Sequence, residues 1–130
     1  DTRLVLVKLL IGTGRVRRGE VLGGGEFVRQ WAVKHLVRAL RGRFADRSTT
    51  LRDTIDPTRR FERDFPEWGE RIAAILSQPL EPAARELFAF TREVLEPGWP
   101  EFPSRAADAV AERLGWPRHP GTEPRRSLPG

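Results

Sequence analysis

The sequence predicts an all-α fold: an antiparallel helical bundle of about five or six helices joined by short connections, which favour antiparallel neighbours. Three observations carry this expectation. Apolar residues recur at three- and four-residue spacing through most of the chain. Proline and glycine fall between those periodic stretches, where they punctuate helices. The one apolar run that reads equally well as extended, Leu4–Ile11, has no second strand candidate to pair with. Residues 1–116 read as a single bundle domain, and residues 117–130, with four prolines and almost no apolar side chains, as a disordered tail.

Taken in order, Leu4–Ile11 fits a buried strand or the core face of a helix, because periodicity does not separate the two over so short a run. The helical context downstream favours a helix from Thr2 to about Arg18. Arg15, Arg17 and Arg18 then occupy its last turn, where positive charge suits the helix dipole, and Gly19 fits a C-terminal cap. Gly23-Gly24-Gly25 reads as a breaker. Glu26 to about Ala45 is the strongest helix, with Val28, Ala32, Val33, Leu36, Val37, Leu40 and Phe44 on one face and Gln30, Lys34, Arg38 and Arg41 opposite. Trp31, His35 and Arg38 follow i, i+4, i+7 spacing along one flank.

Asp46–Ile55 lacks a clean period and reads as a loop. Asp56-Pro57 is a helix start, an N-cap carboxylate followed by proline in the first turn, with a short helix running to about Arg63 and Phe61 and Phe65 turned inward. Pro66 restarts the pattern, with Trp68, Ile72, Ile75 and Leu76 on one face. Pro82 opens a further helix that turns Ala84, Leu87, Phe88, Thr91 and Val94 inward. Pro97, Pro100 and Pro103 form a rigid connection. Ser104 begins a last helix with Ala107, Val110, Ala111 and Leu114 as its stripe, closed by Gly115 and the accompanying apolar contact of Trp116.

The 130 residues are 38% hydrophobic and 32% charged, the balance of a globular chain with one core. No apolar run approaches the ~20 residues of a membrane-spanning helix, and no leader pattern is visible at the start. The lack of cysteine excludes disulfides, thiol chemistry and cysteine-built zinc sites. A cytoplasmic location is expected. The absence of methionine, even at position 1, points to a fragment of a longer protein. The net charge of +5 is uneven: +8 over residues 1–60, −5 over 61–117 and +2 over the tail. A basic first half suits phosphates or an acidic surface, or simply a dipolar solvated surface.

The candidate chemistry is incomplete. Gly12-Thr-Gly14 lacks the third glycine of a dinucleotide loop, since Arg17 stands there. His35 and His119 are the only histidines, so a metal site built on them has too few ligands, and no metal is assigned. Arg29 and His35 match the Arg-x5-His spacing of the HEPN helical-bundle ribonucleases, in which the histidine would act as acid and base and the arginine would stabilise phosphate charge. With 21 arginines in the chain, such matches also arise by chance. Four tryptophans and seven phenylalanines suit stacking on nucleic acid, yet at helical spacing they read as core, and nucleic acid is not an expected partner.

The segments Arg18-Gly19-Glu20, Asp56-Pro57-Thr58-Arg59-Arg60-Phe61-Glu62, Phe65-Pro66 and Arg113-Leu114-Gly115-Trp116 carry a resemblance. Through them the chain resembles the C-terminal helical domain of nucleotidyltransferases of the aminoglycoside-nucleotidyltransferase type. The resemblance implies a partner, a separate N-terminal catalytic domain with a Gly-Ser motif and paired aspartates. Neither the Gly-Ser dipeptide nor a strand-borne Asp-x-Asp occurs here. Mg²⁺ and a nucleoside triphosphate are implied for the parent enzyme, with no cofactor in this chain, no catalytic residue of its own and no transfer by this chain alone. A small-molecule acceptor is the implied substrate. The residues the resemblance points to for substrate contact are Glu20, His35, Arg38, Arg59, Arg60 and Glu62. For Arg59, Arg60 and Glu62, helix capping and ion pairing explain the cluster equally well. A non-catalytic helical interaction module is the other reading, and an uncovered interface would favour self-association.

Overall fold

Every regular element among the described residues is a helix; the structure, a computed structural model, describes residues 1–45 and 58–118. In chain order these are α1 (Thr2–Arg17), α2 (Val21–Glu26), a π-helical segment (Phe27–Ala32), α3 (Val33–Arg43), α4 (Phe61–Asp64), α5 (Pro66–Leu76), α6 (Leu80–Leu95) and α7 (Ser104–Leu114). The predicted helical bundle is therefore the observed architecture. The predicted helix start at Asp56-Pro57 and most of the predicted tail lie outside the described residues.

The ambiguous run Leu4–Ile11 is helical and places Val5, Leu6 and Leu9 in the core. Gly19, at φ 85°, ends α1 as expected. Its N–H bonds the Val16 carbonyl at 3.0 Å while the Glu20 N–H reaches back to Arg15 at 2.8 Å, a paired C-terminal cap.

The glycine triad does not break the next helix, which starts at Val21 rather than Glu26. Packing overrides propensity here, although each glycine costs about 1 kcal/mol in a helix interior. A Cβ on Gly24 would sit 2.6 Å from Val16 Cγ2 and 2.8 Å from the Gly12 carbonyl oxygen, so only glycine lets α1 and α2 approach so closely. Backbone angles at Glu26, Phe27, Ala32 and Val33 are all right-handed helical. The chain therefore runs as one continuous helix from Val21 to Arg43, widened by a π segment in its middle.

Arg60 takes a left-handed conformation (φ 61°) before α4, which is confined to Phe61–Asp64. The predicted short helix is thus one turn, and α5 follows at once from Pro66. A Cβ on Gly69 would lie 2.7 Å from Glu62 Cγ, which shows how tightly α4 folds onto α5. Phe61, Phe65 and Trp68 form a stacked series at 5.0 and 5.2 Å. The next helix starts at Leu80, before Pro82, whose missing N–H is harmless in a first turn. At the end of α7, Gly115 (φ 74°) and the 2.8 Å bond from the Trp116 N–H to Ala111 complete the predicted cap, and Trp116 packs on Phe88 at 5.5 Å.

Within the bundle α1 packs against α2, the π segment, α3, α6 and α7, while α5 bridges α4 and α6. The core is continuous across these helices and includes Leu9, Val28, Leu36, Phe65, Phe88 and Ala111. Two ion clusters are set into it. Arg92, with a side chain 1% exposed, gives bidentate hydrogen bonds to Glu96 (2.8 and 2.7 Å) and a third to Asp108 at 2.7 Å. Ser104 Oγ donates to the same Glu96 at 2.6 Å. Arg41 bonds Asp64, whose side chain is fully buried, at 2.8 Å and the Arg59 carbonyl at 3.1 Å. None of the described helices is long and apolar enough to cross a membrane.

Candidate functional site

Although α1 is the hub of the bundle, it keeps an uncovered apolar stripe. Leu4, Val7 and Ile11 are each about two-fifths exposed and stand one above another at helical spacing. The stripe runs into a groove of about 680 Å³ between α1 and α7, floored by Leu10, Ile11, Val110 and Leu114 and rimmed by Arg17, Arg18 and Arg113. The rim is partly locked. Arg17 holds Glu81 through contacts of 2.6–3.1 Å and also donates to the Leu114 carbonyl at 2.8 Å. The Arg17 hydrogen bonds hold the Glu81 carboxyl below its ordinary range, and Glu81 in turn raises Arg17.

Of the residues the resemblance points to, Glu20 lies at this end of the molecule, accepting from Arg18 Nε at 2.9 Å. His35 and Arg38 lie at the other end of α1, since His35 Nδ1 meets the Asp1 carboxylate at 3.1 Å. The sixteen residues of α1 separate the two places by about 24 Å at 1.5 Å per residue. Burial, then the positive charge of Arg38 and Lys8, pushes the His35 pKa below its ordinary value. The ring is accordingly neutral at pH 7, and its contact with Asp1 is a hydrogen bond rather than an ion pair.

Arg38 lines a separate cleft of about 420 Å³ with Asp1, Thr2, Ala39, Gly42, Arg43 and Trp99. Arg59 and Arg60 stand at the entry to α4, exposed, with the Arg59 carbonyl engaged by Arg41. Glu62 faces a third pocket, about 290 Å³, together with Arg29, Val37, Phe61 and Gly69. The six residues therefore fall into three local groups rather than one shared pocket.

The Arg29/His35 pair does not converge either. Arg29 caps the C-terminal end of α5, donating to the carbonyls of Leu76 (3.1 Å) and Gln78 (2.9 Å), whereas His35 turns to the start of α1. Among the described residues no three His, Asp or Glu side chains come together as metal ligands. Sequence reasoning passed over Arg113 as a groove residue and Arg43 as a cleft residue. For Arg43 the only signal was its helical spacing from Ala39, one turn earlier on the same face.

No protein-family model, curated protein or solved structure matches the chain.

Proposed function

We propose that the chain is the helical accessory domain of a nucleotidyltransferase, docked on its catalytic domain through the α1 stripe and the α1–α7 groove. The observation that carries this reading is the stripe itself: the central helix of the bundle buries Val5, Leu6 and Leu9 but leaves Leu4, Val7 and Ile11 in water. Exposed apolar surface rimmed by polar side chains marks an interaction site. The rim of Arg18 and Arg113 suits an acidic edge on the partner. The resemblance to the helical half of these enzymes supplies the identity of that partner.

In this reading Mg²⁺ and the nucleoside triphosphate belong to the catalytic domain. This chain's own residues contribute the acceptor-side wall, with Glu62 and Arg29 facing one pocket beside α5. Its part in the reaction is positioning, which is a large share of nucleotidyl transfer.

The test is to express the polypeptide encoded directly upstream in the same reading frame and mix it with this chain. The expected result is a one-to-one complex in analytical ultracentrifugation and nucleotidyl transfer only in the mixture, both lost in Val7→Asp and Ile11→Asp. A tight complex with no transfer and no nucleotide dependence identifies an interaction module instead. RNA cleavage by the isolated chain, abolished in His35→Ala, establishes the ribonuclease.

A further inference from the structure

The α3–Trp99 cleft has a feature that neither packing nor docking explains. Arg43 Nε is buried and has no hydrogen-bond acceptor. Its guanidinium lies against two aromatic rings, 5.0 Å from the Phe44 centroid and 5.5 Å from that of Trp99, and meets no carboxylate among the described residues. A desolvated donor left unpaired costs about 1–3 kcal/mol, more when it is charged. The two rings hold the guanidinium plane in place, and the side chain lines the cleft.

Arg38 lines the same cleft and likewise has no carboxylate partner among the described residues. The one carboxylate present, Asp1, accepts from His35. Two guanidinium groups with no carboxylate hydrogen bond among the described residues thus outnumber one carboxylate in a concavity of about 420 Å³, within the roughly 300–1,000 Å³ of small-molecule sites. Its floor is made of small residues, Ala39 and Gly42, and a Cβ built on Gly42 meets nothing within 4 Å. The space above α3 is therefore open down to the backbone.

We infer that this cleft binds a phosphate-bearing small molecule, with Arg43 and Arg38 as its anion donors and Trp99 as one wall. Phosphate is favoured over a carboxylate because it offers several acceptor oxygens to two forked donors at once, the geometry that guanidinium groups match bidentately. The inference is independent of the docking reading, because the cleft lies at the end of α1 away from Glu20 and is formed by this chain alone.

Isothermal titration of the full chain with inorganic pyrophosphate tests it. One site per chain is expected. Arg43→Gln and Arg38→Gln should each weaken binding at least about tenfold, equivalent to about 1.4 kcal/mol, whereas Arg113→Gln in the α1–α7 groove should change it less than about twofold. Gly42→Leu adds bulk to the cleft at a position where a Cβ meets nothing within 4 Å and should abolish binding while thermal melting is unchanged or raised. If Arg43→Gln fails to fold, Arg38→Gln and Gly42→Leu decide the question alone. Equal affinity in all variants overturns the inference, as does an absence of binding to the wild type, or acetate binding as tightly as pyrophosphate. Tighter binding of a single-stranded oligodeoxythymidylate, weakened as much by Trp31→Ala and Lys34→Gln as by Arg43→Gln, overturns it in favour of a nucleic-acid track.

Discussion

Arg92 and Arg43 are the same side chain in two opposite settings. Arg92 is almost wholly buried, and its Nε and both terminal nitrogens reach carboxylate oxygens of Glu96 and Asp108. Burial opposes its charge, yet those hydrogen bonds outweigh the penalty and raise its pKa further. Arg43 is held by aromatic faces, and its Nε is left without an acceptor. The difference separates structure from function in a chain with 21 arginines. A guanidinium with every nitrogen engaged ties α6 to α7, and one with no carboxylate partner among the described residues lines a cleft.

Four outcomes break or sharpen this contrast. The largest effect is expected for Arg92→Ala, which strands Glu96 and Asp108 and should cost about 3–5 kcal/mol. Urea denaturation measures it, and a loss under 1 kcal/mol would show that the network is not structural. The next concerns Thr13, whose buried Oγ1 is also unpaired but lines none of the three cavities described. With no ligand to serve, its hydroxyl is a plain cost, so Thr13→Val should stabilise the fold by about 1 kcal/mol. A lower melting temperature contradicts this.

Arg43→Gln comes third. Removing the unpaired donor offsets the loss of its two ring contacts, so chemical denaturation should place the variant within about 0.5 kcal/mol of the wild type, far from the Arg92 result. The smallest effect is a pH dependence. Because the folded His35 pKa lies below its ordinary value, the unfolded chain takes up that proton first as the pH falls. The His35 contribution is fully present above the ordinary value of about 6.5 and declines as the pH drops through the folded value. Thermal melts between pH 7 and 5 should therefore show a shallower decline in His35→Gln than in the wild type; an unchanged slope assigns the decline to other groups. Glu81, held low by Arg17, and Glu93, held low by its hydrogen bonds from Arg71, act with the same sign further into acid.

Much of the architecture was legible in the sequence because it follows local rules. The α7 stripe of Ala107, Val110, Ala111 and Leu114 is buried as a group, and Gly19 and Gly115 both take the left-handed conformation that a cap needs. The misread start of α2 had a long-range cause. Gly23-Gly24-Gly25 looks like a breaker until Gly12, on another helix, is seen to need Gly24 beside it. Nor does the π segment show in the spacing of its apolar residues, since Val28 and Ala32 fit an ordinary helix equally well. The candidate site was less legible. Arg38 lines a cleft, but its companion Arg43 was indistinguishable from a surface arginine, because what marks it is an empty volume and a missing acceptor.

What the sequence determined by itself is the helical class, most element boundaries and the inward-facing residues, because helical periodicity, caps and proline stops act over a few residues. Tertiary structure alone decided which charges are spent and which remain available. Pairing between Arg92 and Asp108, or between Arg41 and Asp64, joins separate elements, and burial is a property of the assembled surface. The same holds for the uncovered stripe of α1, whose residues differ from their buried neighbours only in what the rest of the chain packs against them.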